Sequence, residues 1–275
     1  MQLPTANLAA RVRDLIGARA RSSADGPARR GPLGRLTDMM ALGDWIYRDA
    51  YYLVAEVELD RERAGRFVPW PIKLAKQPDG SGRAQIFTAY FPTNTFGSVY
   101  REAGVFFEVA HRRGTAIYSP WMLVDDDVAL IVGRELLGYP KKLGEIAWQH
   151  DGDRISSVAS RRGHELLAMH GTLGARISHP PPILGRPHRN VRASTGLAIP
   201  KVIAFAPKER VVEVRDADLT VTIGGSDRDP LHEMGFGRVL ATRLHRVDLA
   251  GGMLPIPVAP VSPLSYARQI LLRSH

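Results

Sequence analysis

The chain contains no cysteine in its 275 residues. Disulfide bonds, thiolate metal sites, iron–sulfur clusters and a cysteine nucleophile are therefore excluded. No apolar run approaches the length of about 18 residues that a membrane helix needs, so we expect no membrane partner and a cytoplasmic protein. The first residues also lack a continuous apolar signal core, because arginines and Asp14 interrupt them.

Lysine is scarce in this chain. Only six of the 37 basic residues are lysine, which leaves 37 − 6 = 31 arginines. Two of the six, Lys141 and Lys142, are adjacent. Arginine does not lose its proton in proteins, so a lysine pair in an arginine-rich chain indicates amine chemistry as well as charge.

The net charge of +9 is distributed unevenly. Residues 1–36 hold seven arginines and two aspartates, 7 − 2 = +5, so the remainder carries only +4. No basic run is interleaved with aromatic residues, and we expect no nucleic-acid partner. The segment 17–36 is rich in Gly, Ala, Arg, Ser and Pro, which predicts a flexible basic extension over residues 1–40 and a single domain over 41–275.

Several familiar site motifs are missing. The sequence has no HExxH, no GxSxG, no GxxxxGK[ST] and no complete GxGxxG. The histidines show no common metal-ligand spacing. We therefore expect neither a metal nor another cofactor.

Alternating apolar residues dominate the body of the chain and predict β-strands. Examples are residues 53–59, the apolar run 84–91, the pair 105–111 and 115–124, and two strands joined at Asp151-Gly152. Helical periodicity is sparse. The pattern predicts an α+β fold of mainly antiparallel β structure, as a meandering sheet or barrel with a few short helices.

The segment 128–146 holds the lysine pair. Its apolar run Val128–Val132 is expected to be a strand that ends at Gly133, and Pro140 restricts Tyr139 to extended geometry. A neutral lysine amine attacks a ketone to form a Schiff base. From the spacing alone, a pair of solvated surface lysines is the commoner outcome.

The residues GRELLGYPKKL, 133–143, resemble the motif of the acetoacetate decarboxylase superfamily. A weaker resemblance covers about residues 45–260 and includes YREAG at 100–104 and DPLHEMGFGRVL at 229–240. The resemblance implies an acetoacetate decarboxylase-like β-cone, a small-molecule keto acid substrate, no cofactor and a homo-oligomer. Acetoacetate decarboxylase is itself a known example of a lysine activated by its surroundings.

The resemblance also implies the site residues. Lys141 would form the Schiff base, Lys142 would be the neighbouring cation that activates it, and Glu102 would be an active-site acid. Without the resemblance, Glu102 could equally be a surface glutamate at a strand end.

Four further positions would contact the substrate. Tyr139 and Met122 fall at apolar pocket positions, and Arg48 matches the arginine that meets the substrate carboxylate. Phe87, or Thr88 if the match shifts by one, replaces a second glutamate of the family. This replacement removes a carboxylate from the pocket and opens the choice of reaction.

Three functions remain in view. The leading one is a lysine-iminium lyase that decarboxylates a β-keto acid to a ketone and carbon dioxide. The second keeps the imine but performs aldolase or dehydratase chemistry on a pyruvate-like keto acid. The third is a non-catalytic binding module on the same fold.

Overall fold

The computed structural model describes residues 45–95, 97–112, 114–192, 199–250 and 255–274. The expected extension over residues 1–40 lies outside these ranges. The strands are β1 Trp45–Leu59, β2 Gly82–Phe91, β3 Thr93–Asn94, β4 Tyr100–His111, β5 Gly114–Val124, β6 Lys141–Leu143, β7 Glu145–Asp151, β8 Arg154–Arg161, β9 His164–Arg176, β10 His188–Arg192, β11 Lys201–Phe205, β12 Lys208–Ile223, β13 Phe236–Ala250 and β14 Ile256–Pro260.

Helices in the described ranges are few and short. They are α1 Arg61–Gly65, α2 Asp127–Glu135, α3 Pro263–Ser274 and a single 3-10 turn at Leu231–Glu233. None of them combines the length and apolar character required to cross a bilayer.

The strands form one sheet in the order β14-β11-β10-β5-β4-β2-β1-β13-β12-β9-β8-β7, with β3 on β1 and β6 on β5. Most neighbours are antiparallel, while β10 and β6 each pair with β5 in parallel. The order is an open path, so the sheet is not closed. The prediction of a mainly antiparallel sheet with a few short helices is confirmed.

Strand alternation divides the buried residues between the two faces of the sheet. Two adjacent rows run across β1, β2, β4, β5 and β6: Leu53, Thr88, Ala103, Leu123 and Lys142 on one face, and Val54, Phe87, Gly104, Met122 and Lys141 on the other. Apolar residues of the first row belong to one core cluster, and those of the second row belong to another. Alternation therefore directs the two lysine side chains to opposite faces.

The predicted hairpin at Asp151-Gly152 is confirmed, because Asp151 pairs with Arg154 and Gly152 adopts a positive φ of 56°. The expected strand at Val128–Val132 is wrong, since these residues lie within helix α2. The Asp126 side chain accepts a hydrogen bond from the backbone N–H of Ala129 and caps the helix. This cap overrides the β preference of the apolar run.

Candidate active site

Lys141 lies in the short strand β6 and is only 6% exposed. Its backbone pairs in parallel with Met122 of β5, so the side chain emerges on the second face of the sheet. The end of α2 covers it at Gly133. The lysine therefore projects into the interior, unlike the solvated surface pair that spacing alone favoured.

Glu102 of β4 is the ionic partner of Lys141. The ammonium nitrogen donates to Oε1 of Glu102, and both side chains are almost fully buried. Burial raises the pKa of the Glu102 carboxyl, an effect that the charge and hydrogen bond of Lys141 oppose. A carboxyl with a raised pKa beside an amine is suited to exchange a proton with it.

Two tyrosine rings flank the same nitrogen. Nζ of Lys141 lies 5.9 Å from the ring centroid of Tyr100 and 5.9 Å from that of Tyr139. The Tyr100 hydroxyl is hydrogen-bonded to Tyr47, and Tyr52 is buried nearby. Burial raises the pKa of each of these four tyrosines, so all four stay neutral near pH 7.

The Tyr139 hydroxyl forms a hydrogen bond with His188. The hydroxyl oxygen lies 3.0 Å from Nδ1 of His188, while Nε2 of the same ring lies 3.2 Å from the Leu184 carbonyl oxygen. His188 is fully buried at the start of β10, and burial lowers its pKa to about 3. In the proline-rich segment before it, residues 179–187, Ile183 and Leu184 are buried in the core.

Phe87 and Met122 form the apolar side of the site. Both are buried and approach each other over Gly104, where an added β-carbon would lie 2.7 Å from Phe87 Cζ and 3.3 Å from Met122 Cε. Phe87 also stacks on Phe106, with ring centroids 4.7 Å apart. An aromatic ring therefore fills the position where the family resemblance leads one to expect a carboxylate.

Lys142 extends from the opposite face of the sheet. Its nitrogen donates to Oδ1 of Asp229 at 2.6 Å and to the Arg228 carbonyl oxygen at 2.9 Å. Asp229 also accepts hydrogen bonds from Trp121 Nε1 and Arg161 Nη1. Lys142 was predicted to be the neighbouring cation that activates Lys141, but its side chain lies on the other face of the sheet, because adjacent residues of a strand point to opposite faces.

Arg48 does not reach the site through any contact that the described residues show. It is exposed on β1, and its positive charge contributes to the lowered pKa of the Asp248 carboxyl. Asp49 has a positive φ of 52°, and the register with β13 shifts between Tyr47 and Ala50. This irregularity lets Tyr47 pack against the second core cluster, on the face of Lys141.

Sequence reasoning missed several of these residues. No motif in the sequence indicated a role for four of them, Tyr47, Tyr52, His188 and Asp229, although the segment DPLHEMGFG begins at Asp229. Tyr100 opens the YREAG motif, where only the acid was considered. Within the ranges that the structure describes, no three His, Asp or Glu side chains form a group suited to hold a metal ion.

The family model for acetoacetate decarboxylase matches residues 30–256, which is most of the chain. The chain belongs to the acetoacetate decarboxylase family. Among curated relatives, "Acetoacetate decarboxylase 3" of Mesorhizobium japonicum is 28% identical over 141 residues, covering 48% of this chain and 49% of the relative. "Acetoacetate decarboxylase 1" of Bradyrhizobium diazoefficiens is 26% identical, with 48% and 50% covered. The chain thus spans about half the length of the curated relatives that it matches.

Solved structures of the acetoacetate decarboxylase family share the fold. An acetoacetate decarboxylase structure aligns with a TM-score of 0.68 at 16% identity, over 79% of this chain and 90% of that one. The enzyme from Legionella pneumophila aligns with a TM-score of 0.64 at 13% identity, over 80% and 88%. The enduracididine biosynthesis enzyme MppR complexed with pyruvate gives 0.63 at 16% identity, over 84% and 98%. At these identities the likeness shows the fold alone.

Proposed function

We propose that the chain is a lysine-iminium lyase that decarboxylates a small β-keto acid to a ketone and carbon dioxide, with Lys141 as the nucleophile. The observation that carries this proposal is the buried contact between the Lys141 amine and the Glu102 carboxyl, enclosed by tyrosine rings. A nucleophilic amine needs a base to take its proton and a dry site in which to react.

Glu102 handles the proton of the amine. Burial raises the pKa of the Glu102 carboxyl, which suits it to accept the ammonium proton and leave a free amine. The free amine then attacks the keto carbon. A C–N bond forms, the resulting carbinolamine loses water, and the product is a protonated imine.

The iminium is the electron sink for the next step. The bond between the α-carbon and the carboxylate breaks, its electron pair forms an enamine, and carbon dioxide leaves. The Glu102 proton leaves with the water lost from the carbinolamine, so solvent supplies the proton that the enamine carbon takes up. Water then hydrolyses the imine to release the ketone and Lys141. No electrons are gained or lost overall.

Lys142 has a supporting role in this proposal. Its ion pair with Asp229 ties β6 to the turn that carries Asp229, on the face opposite Lys141. Because the two lysines are consecutive in one strand, this anchor fixes the backbone from which Lys141 projects. The Asp229 carboxylate compensates the second positive charge, the Arg228 carbonyl oxygen accepts a further hydrogen bond from it, and it does not face the substrate.

Aldolase or dehydratase chemistry is the second candidate. Phe87 occupies the position of the family's second glutamate, so the pocket holds one carboxyl fewer than the resemblance implies. A structural neighbour is described as complexed with the condensation product of pyruvate and imidazole 4-carboxaldehyde. The same iminium would then form on a pyruvate-like keto acid and lead to bond formation or loss of water.

A paired assay tests these functions. The protein is supplied with acetoacetate in one series and with pyruvate plus an aldehyde in the other, while carbon dioxide and condensation products are followed. Lys141→Ala should lose all turnover, and Lys201→Ala, which removes an exposed lysine, should retain it. Turnover by Lys141→Ala equal to that of the unchanged protein would exclude both candidates. The homo-oligomer stays a prediction, which sedimentation of the purified protein checks.

A further inference from the structure

His188 lies behind Tyr139, and its tautomer is fixed by the geometry around it. The Leu184 carbonyl oxygen only accepts hydrogen bonds, so Nε2 at 3.2 Å must carry the proton. In the neutral ring Nδ1 is then an acceptor. The Tyr139 hydroxyl, 3.0 Å away, donates to it.

The loop that supplies the Leu184 carbonyl is itself fixed. The Glu209 carboxylate accepts hydrogen bonds from the backbone N–H groups of Ile183, Leu184 and Gly185, two of them at 2.6 Å. These bonds hold the carbonyl oxygen against Nε2. The His188 ring also stacks on Phe205, with centroids 4.6 Å apart. The orientation of His188 is therefore determined from two sides.

The fixed histidine has a consequence for Tyr139. Because its hydroxyl is committed to Nδ1, the tyrosine presents the face of its ring to the Lys141 nitrogen, at 5.9 Å from the centroid. On the other flank Tyr100, hydrogen-bonded to Tyr47, presents its ring at the same distance. Two ring faces at this range attract a cation, most strongly in a dry site.

We propose that His188 is a positioning residue that holds the Tyr139 ring against the Lys141 nitrogen, so that Tyr139 and Tyr100 together stabilise the iminium cation. The inference rests on the proposed function, since it requires an iminium at Lys141. His188 thus affects imine formation through its hydrogen bond to Tyr139. The ring faces stabilise the positively charged imine more than the uncharged amine from which it forms.

Trapping by cyanoborohydride measures this effect. The fraction of Lys141 reduced to a stable adduct is followed against acetoacetate concentration in the unchanged protein, in Tyr139→Phe and in His188→Leu. Tyr139→Phe keeps the ring but removes the hydroxyl that holds it. We expect each variant to require about fivefold to tenfold more acetoacetate for half-maximal trapping. The double variant should need no more acetoacetate for half-maximal trapping than the more impaired single variant, because the two substitutions remove the same hydrogen bond.

Two controls separate positioning from a general structural effect. His188→Asn places an acceptor oxygen near the position of Nδ1 and should recover trapping to within about twofold of the unchanged protein. His245→Leu removes another buried histidine, which lines a separate small cavity with Arg243 and Pro181, and should leave trapping unchanged. If His188→Leu does not fold, Tyr139→Phe decides, since it breaks the same bond from the other side.

The outcomes separate a failure of the proposed function from a failure of the role given to His188. If the unchanged protein shows no adduct at Lys141, the proposed function fails and this inference fails with it. If the unchanged protein is trapped and Tyr139→Phe is trapped equally well, only the role of His188 is overturned. Independent, multiplying losses in the double variant would also overturn it.

Discussion

The backbone of Gly133 lies directly against the side chain of Lys141. A β-carbon added at Gly133 would lie 2.6 Å from Cε of Lys141 and 3.1 Å from its nitrogen. Those atoms are the far end of a flexible side chain, so the protein can accommodate an alanine by moving the amine. Helix α2 thus determines where the Lys141 nitrogen lies relative to Glu102.

Gly133→Ala should therefore reduce turnover far more than stability. A displacement of about 1 Å at a reacting group can lower the rate by about 10²-fold. We expect a loss of this size in kcat/KM, with a urea unfolding midpoint close to that of the unchanged protein. Gly65→Ala is the matched control, because nothing lies within 4 Å of its added β-carbon. Equal activities in the two variants would contradict the role given to Gly133.

Glu102→Gln should abolish proton transfer without changing the shape of the site. General acid–base groups contribute about 10²–10⁴-fold to rate, so we expect a fall in kcat within that range. Because the amine loses its proton acceptor, trapping of the Lys141 adduct should also slow. The measurements are steady-state kinetics and single-turnover trapping at one pH. A variant within threefold of the unchanged protein, by the scale of such effects, would show that another group handles the proton.

Asp229→Asn should affect stability most. Asp229 is buried and accepts from Lys142, Trp121 and Arg161, so the substitution leaves a buried cation without its counter-charge. Removing one partner of a buried ion pair costs about 3–5 kcal/mol in the free energy of unfolding. Asp153→Asn, which removes the exposed carboxylate partner of Arg215, should cost less than about 1 kcal/mol. Urea unfolding compares the two, and equal losses would refute the anchoring role.

Sequence patterns predicted much of the fold, and the site only in part. The alternation in β1 and the hairpin at Asp151-Gly152 are local signals, and both were read correctly. Helix α2 was missed because its apolar run resembles a buried strand, while the decisive Asp126 cap is a single residue. Short apolar runs do not distinguish the two structures by periodicity.

The position of Arg48 depends on a different feature. Its role was inferred from the family resemblance, which does not report the local backbone, and here the residue at 49 adopts a positive φ and the register shifts. A one-residue shift moves every preceding side chain to the other face of a strand. Likewise, the partners His188 and Asp229 are far from the lysine pair in sequence, and no local pattern reports such a contact.

The burial of His245 should make the free energy of unfolding depend on pH. Burial, with a smaller contribution from Arg243, lowers its pKa from 6.5 to about 4. Between these values the unfolded chain binds a proton that the folded chain does not, so its contribution to stability is complete above pH 6.5 and falls as the pH decreases. Urea unfolding at several pH values should show a slope up to about 1.4 kcal/mol per pH unit steeper in the unchanged protein than in His245→Leu. Parallel slopes would contradict it.

The central claim is that Lys141 forms an imine with a keto acid. The direct measurement is borohydride reduction in the presence of acetoacetate, followed by mass spectrometry of the peptide that contains Lys141 and Lys142. We expect one adduct, on Lys141 only, and its mass, with or without the carboxyl group, reports whether decarboxylation preceded reduction. Turnover of the keto acid with Lys141 unmodified, or an adduct on Lys142 instead, would contradict it.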